Sequence, residues 1–195
     1  MAVTKVETRR SLLNAARRVV VAKGYAAVGI NEVLAEAGVP KGSFYHYFDS
    51  KDAFGEALMK DYFDDYFATM DGIAGDPHST AAQRLMRYWQ YFYDTQAADD
   101  CQGGCLVVKL GAEIADLSEA MRVTTKAGTA AIIDRLEAMI DAGVADGSVT
   151  VDDTPRSTAE ALYDMWLGAS VIAKIHADPA HLDRALAVTR QVLHV

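Results

Sequence analysis

The chain has 195 residues, 51% of them hydrophobic, and a net charge of -8. That is enough apolar material for one medium domain or a small one joined to a larger one, and it excludes a disordered chain. No apolar stretch approaches the roughly 18 residues that span a bilayer, and MAVTKVETRR leads into a mixed-polarity segment without a cleavable hydrophobic core, so a cytoplasmic protein is expected.

The charge is unevenly spread. Residues 1–60 carry nine Lys or Arg against six Asp or Glu, whereas residues 61–195 carry ten against twenty-one. A net acidic chain argues against a nucleic-acid partner, but a basic first segment followed by an acidic remainder points to two modules with different partners. The two cysteines, Cys101 and Cys105, are too few for the disulfide framework of a secreted domain and are expected to be reduced.

Helical spacing dominates, and no stretch combines strict alternation with β-branched residues and turn signals, so the fold class is all-α. A first helix is expected from about Thr8 to Lys23, with Leu12, Leu13, Ala16, Val19 and Val20 as its apolar stripe and Gly24 at its end. A short helix over Ile30–Ala37, a turn at Gly38, Pro40 near a helix start and a third helix over Lys41–Tyr47 together make a helix-turn-helix. A fourth helix, capped by Asp49 or Ser50, runs to about Met70 with Phe54, Leu58, Tyr62, Phe63 and Phe67; Asp61, Asp64 and Asp65 read as its solvated face. Gly72–Thr80 is the clearest linker. A fifth helix to about Ala98, a break over Asp99–Gly104, a short helix from Cys105, a long one over Ser118–Ala142 and a loop at Gly147–Thr154 follow. Two last helices cover Pro155–Ala177 and Pro179–Leu193.

In Val39-Pro40-Lys41-Gly42-Ser43-Phe44-Tyr45-His46-Tyr47-Phe48-Asp49-Ser50-Lys51, small and hydrogen-bonding side chains gather at the N-terminal end of the third helix, the end of a recognition helix that meets base edges and phosphates. Gly42 permits close backbone approach, Ser43 is a short donor and acceptor, and Lys41, Tyr45 and Lys51 reach phosphates. His46 and Ser43 are candidates for sequence preference; Gly29, ahead of the second helix, and Tyr47 complete the DNA-binding set. Phe44 and Phe48, four apart, anchor the helix to the core.

VPKGSFYHYFDSKDAF, preceded by GINEVLAEAG, resembles the N-terminal signature of TetR-family repressors over roughly residues 8–60, with Leu34 where many members have Ala. The resemblance implies an all-α homodimer that occupies a palindromic operator and leaves it when a small-molecule inducer binds the C-terminal domain. It also implies a four-helix bundle between subunits, formed by the last two helices. The corresponding division is a DNA-binding domain over residues 1–50 and a ligand-sensing and dimerisation domain over residues 51–195.

Leu85, Tyr88, Trp89, Phe92 and Tyr93 recur at helical spacing, which fits a packed core first and the wall of a ligand pocket second; the hydroxyls of Tyr88, Tyr91 and Tyr93 are available to orient a ligand. Trp166, with Leu162, Met165, Gly168 and Ala169, belongs to a broad apolar face, and Leu182, Ala185, Leu186, Val188, Val192 and Leu193 to another. Helices apolar on more than one face need more than one partner. Cys105 follows Gly103 and Gly104 and opens a helix, where amide N–H groups favour a thiolate; Cys101 lies beside Asp99 and Asp100, which disfavour one. A buried structural cysteine remains the alternative for Cys105.

GCLVVKLGAEIADLSEAMR and LYDMWLGASVIAKI are similar to the branch of the family that contains the repressor of the N-ethylmaleimide reductase operon. This implies that Cys105 corresponds to a reactive cysteine and Lys174 to a lysine near it, and that the inducer is an electrophile or oxidant, or else an unsaturated small acid or its thioester bound reversibly. A metal sensor is disfavoured because His46, His78, His176, His181 and His194 are scattered. An enzyme is disfavoured because no glycine-rich nucleotide loop, nucleophile elbow or HExxH sequence occurs, and neither cofactor nor metal is expected.

Overall fold

The computed structural model describes residues 5–195, so the first four residues of the N-terminal stretch lie outside it. Among the described residues there is no strand, and no helix is long and apolar enough to cross a membrane. The helices are α1 (Lys5–Lys23), α2 (Ile30–Glu36), a 3-10 turn (Lys41–Ser43), α3 (Phe44–Tyr47), α4 (Lys51–Ala74), α5 (Ala81–Cys101), α6 (Leu106–Leu117), α7 (Glu119–Ala145), α8 (Pro155–His176) and α9 (Ala180–Leu193). They form two compact units. One comprises the chain up to Asp64 with Lys109–Gly128, the other Asp65–Val108 with Thr129–Val195.

In the first unit α1 turns Leu12, Leu13, Ala16 and Val20 fully inward. Gly24, at φ +81°, ends the helix, and its N–H still reaches Val20 O at 2.8 Å. Gly38, at φ +65°, makes the turn after α2, and Val39 N–H closes it on Leu34 O at 2.9 Å. The third helix departs from the expected two α-turns: its first turn is 3-10 and only Phe44–Tyr47 is α. Phe44 is fully buried, with ring centroids 5.5 Å from Phe48 and 5.2 Å from Phe54. Ser50 caps α4 by accepting the Ala53 N–H at 3.0 Å. Asp61 is not simply solvated, since it pairs with Arg17 at 3.4 Å.

In the second unit α4 continues through Gly72 to Ala74, further than the sequence suggests. One glycine in a helix costs only about 1 kcal/mol. Against that cost, Arg135 grips Asp71 through two bonds, at 2.8 and 3.2 Å, and lies 4.1 Å above the Phe67 ring. The loop shrinks to 75–80, and α5 opens on a capping box in which Thr80 accepts from Gln83 N and Gln83 accepts from Thr80 N. Thr154 caps α8, which starts with Pro155 and stops at Ala177 in the left-handed region. Asp178 accepts the Ala180 N–H at 3.0 Å and so stabilises the start of α9. Helices α8 and α9 pack against each other, yet Val171, Ile172, Ile175, Val188 and Val192 remain exposed on them.

Because Phe44 fills a closed aromatic cluster, Phe44→Ala is expected to lose about 3–5 kcal/mol of stability in urea unfolding. Tyr45→Ala, at a side chain 69% exposed, should leave the unfolding midpoint nearly unchanged.

Candidate functional site

Pro40, at φ -57°, stiffens the entry to the 3-10 turn, and Ser43 N–H bonds Pro40 O at 2.9 Å. With Phe44 and Phe48 turned into the core, Tyr45 and His46 necessarily face outward and are exposed, as are Lys41, Gly42 and Gly29; Ser43 and Tyr47 are half-buried. The structure therefore gathers Lys41, Gly42, Ser43, Tyr45, His46 and Tyr47 on one short element. Lys51 is half-buried at the start of α4, with its ammonium 5.1 Å from the Tyr25 ring centroid. An open cleft of about 350 Å³ runs beside the turn, lined by Thr8, Ser11, Pro40, Ser43 and Tyr47 among others. Thr8 and Ser11 belong to no motif; their one-turn spacing at the start of α1 is their signal in the sequence. Hydroxyls, an ammonium and an unobstructed glycine backbone suit contacts to phosphates and base edges. Ion pairs Arg18–Glu36 at 3.0 Å and Lys23–Glu32 at 2.5 Å tie α1 to α2.

The second unit brings Tyr88, Trp89, Phe92 and Trp166 into one buried aromatic cluster. Trp89 stacks on Trp166 at 5.2 Å with their planes 10° apart, and Phe92 meets Trp166 edge-on at 5.5 Å. Trp166 donates its indole N–H to Thr189 at 2.9 Å. The indole N–H of Trp89 and the amide nitrogen of Gln96 are buried without a hydrogen-bond partner. The hydroxyls of Tyr88 and Tyr66 bond each other at 2.9 Å, whereas Tyr93 donates to Asp183 at 2.8 Å, which engages the hydroxyl that the sequence offered to a ligand. Burial pushes the Tyr88 phenol well above the ordinary tyrosine value; nearby Cys105 adds to this and the Tyr66 bond opposes it. Tyr163 is raised by burial and, next, by Cys105. Cys105 is thus an electrostatic neighbour of Tyr88 and Tyr163. Tyr66, Tyr163 and Gln96 carry no sequence motif, because they come from helices that only the fold brings together.

Both cysteines are buried, and neither forms a disulfide. Cys105 immediately precedes α6, as its place after two glycines suggests. The break before it is severe: Ala98 is extended, and Asp99, Asp100 and Cys101 follow at φ +51°, +54° and +63°. Left-handed backbone costs roughly 1–2 kcal/mol per non-glycine residue, least for Asp and Asn. Two features hold the segment in place. Gly103 lies so close to α5 that a Cβ there would collide with the Thr95 carbonyl and the Gln96 backbone. Lys174, half-buried on α8, donates to Gln102 O at 2.9 Å. The Cys101 thiol is pushed up by burial and then by Asp178 and Asp100; Asp178 is a contributor that lies far from Cys101 in the sequence.

Two short helices across a glycine turn, joined to an α-helical unit with a buried aromatic centre, define a helix-turn-helix regulator. The family profile described as bacterial regulatory proteins, tetR family, matches residues 12–58, and that described as tetracyclin repressor-like, C-terminal domain, matches residues 81–189. The chain is 34% identical to the transcriptional repressor NemR of Escherichia coli over 97% of this chain and 96% of that one. It is 35% identical to the transcriptional regulator AcuR of Cereibacter sphaeroides over 88% and 80% of the two chains. The crystal structure of reduced E. coli NemR superposes with a TM-score of 0.89 at 35% identity, covering 96% of this chain and 98% of that one. The chain belongs to the TetR family and is a DNA-binding transcriptional repressor, not an enzyme. Regulators of this family bind operator DNA and dimerise.

Since Asp178 holds the Cys101 thiol up, Asp178→Asn should move the Cys101 titration to lower pH. Ultraviolet thiolate absorbance of a Cys105→Ser protein checks this, and an unchanged midpoint would contradict the assigned cause.

Proposed function

We propose that this repressor is a cytoplasmic homodimer whose operator complex is released by a reactive electrophile or oxidant acting at Cys105. The observation that carries the proposal is the position of Cys105 at the junction of a strained segment and α6, with Lys174 of α8 gripping that segment through Gln102 O. Adding bulk to a buried thiol at this junction disturbs a segment with little tolerance. The raised Cys101 thiol disfavours Cys101 as the nucleophile. A coupling energy of about 1–3 kcal/mol is enough to weaken operator binding roughly 5- to 150-fold.

In this reading residues 1–50 contact the operator and residues 51–195 sense the inducer and dimerise. Gly29, Lys41, Gly42, Ser43, Tyr45, His46, Tyr47 and Lys51 contact the DNA. Lys174, Tyr88, Trp89, Phe92 and Trp166 shape the sensor around Cys105. Dimerisation uses α8 and α9, supported by Ile175, 69% exposed, and the exposed valines beside it.

A second reading is favoured by the unpartnered Trp89 and Gln96 donors. Buried donors left without acceptors suit a carbonyl or carboxylate ligand, so an unsaturated acid or its thioester bound reversibly in the aromatic cluster accounts for them.

Operator affinity measured before and after N-ethylmaleimide or acrylate separates the two readings. Covalent sensing requires that Cys105→Ser stay bound after N-ethylmaleimide while Cys101→Ser releases; a Cys105→Ser protein that releases with every reactive compound leaves the reversible ligand. Lys174→Ala should blunt release without weakening untreated binding. Lys51→Ala should weaken binding to all sequences and lower the salt slope by about one, and Ile175→Asp should shift sedimentation toward monomer.

A further inference from the structure

The segment between α1 and α2 leads into the helix-turn-helix, yet its own residues give it few bonds to one another. Helix α2 starts at Gly29 without a side-chain cap, so nothing within α2 fixes where it begins. Fixation comes from α6. The two carboxylate oxygens of Glu113 each accept one backbone N–H of this segment: Oε1 from Ala26 at 2.5 Å and Oε2 from Tyr25 at 3.2 Å. Gly24 makes the approach possible, because the Glu113 carboxylate lies 3.1 Å from the position that a Cβ at Gly24 would occupy.

Tyr25 passes the constraint on. It is 4% exposed, its hydroxyl donates to Lys51 O at 2.5 Å, and Gly55 leaves room for that hydroxyl beside Met121. The segment is thereby held from α4 and α6 at once, with Glu113 as the contact from α6. Helix α6 is a single element that begins directly after Cys105, and Glu113 stands eight residues beyond that cysteine, about 12 Å along the axis. A hydrogen bond already at 3.2 Å is lost within a few tenths of an ångström. A displacement of α6 of about 1 Å, typical of helix shifts in switching proteins, is therefore enough to break the Tyr25 bond and to stretch the Ala26 bond to the limit of hydrogen bonding.

We propose that Glu113 is a positioning residue for operator binding: its carboxylate fixes the α1–α2 segment, and through it a displacement of α6 reaches the DNA-reading helices. The second half of this statement rests on the reading of Cys105 given above. Electrostatics alone predicts the opposite effect of removing Glu113, because losing an acidic side chain from a DNA-binding unit strengthens attraction to phosphates.

The test uses the full-length chain and a labelled duplex of the intergenic DNA flanking its own gene. Glu113→Ala should bind that duplex on the order of 5- to 20-fold more weakly than wild type, the scale of losing charge-assisted bonds that water partly replaces. Glu113→Gln has the same charge as the alanine variant but keeps a carbonyl acceptor, and should lose less than about threefold. Amide exchange should quicken at residues 24–28 in Glu113→Ala and stay unchanged in α8 and α9, which separates loss of positioning from loss of fold. After N-ethylmaleimide, wild type should weaken, whereas Glu113→Ala should weaken by less than about twofold further, because both changes act through one contact. Glu113→Ala binding as tightly as wild type, or more tightly, would overturn the positioning role. Labelled Glu113→Ala losing as large a factor as labelled wild type would overturn the link through α6. Should labelled wild type keep its full affinity, the Cys105 reading fails and the link with it, while weakened binding by Glu113→Ala still upholds the positioning role.

Discussion

A helix of four residues has no stability of its own: nucleation fixes several dihedral angles before propagation gains anything, and isolated helices shorter than about 12–15 residues are marginal in water. Helix α3 has four residues and α2 seven. Both exist because other parts of the first unit hold them, and every contact proposed with DNA inherits that dependence. The Phe44–Phe48–Phe54 cluster holds α3, since these rings bury apolar area and meet at distances of 4.8 to 5.5 Å, and buried Val33 and Leu34 hold α2. Ion pairs from α1 to α2 add less, because exposed pairs are screened and contribute typically 0–1 kcal/mol. The helix-turn-helix is therefore packed on its inner side and exposed on its outer one.

The second unit solves a different problem. It packs Trp89 against Trp166 and satisfies the Trp166 indole through Thr189, yet leaves the Trp89 indole and the Gln96 amide nitrogen unpartnered. A core optimised for stability alone avoids such donors, because a buried unsatisfied group costs roughly 1–3 kcal/mol. The same unit carries three successive left-handed residues just before Cys105. Unsatisfied donors and backbone strain in one region cost stability and persist only where the surrounding structure over-determines them.

Charge distribution gains meaning from these contacts. The net charge of -8 combines an excess of three positive charges in residues 1–60 with an excess of eleven negative charges in residues 61–195. Within the first unit, Arg18 and Lys23 are engaged with Glu36 and Glu32 and serve cohesion, whereas Lys41 stands exposed at the turn that faces outward. Positive charge in the first segment is thus partly consumed by ion pairs within it.

The sequence by itself determined whatever depends on local periodicity and local stereochemistry: an all-α chain, the stop at Gly24, the turn at Gly38, the stiff entry at Pro40, and the inward pair Phe44 and Phe48. These follow from the 3.6-residue repeat and from glycine and proline backbone preferences, which neighbours along the chain are sufficient to express. Tertiary structure alone decided the remainder. It extended α4 past Gly72 through Arg135, 64 residues away from Asp71. It joined Tyr66 to Tyr88, set Lys174 on Gln102 across 72 residues, and laid Glu113 against a segment 87 and 88 residues earlier. A single carboxylate or ammonium in a helix reads as a solvated charge until the fold supplies its partner, because hydrogen bonds act over about 3 Å in space and are indifferent to separation along the chain.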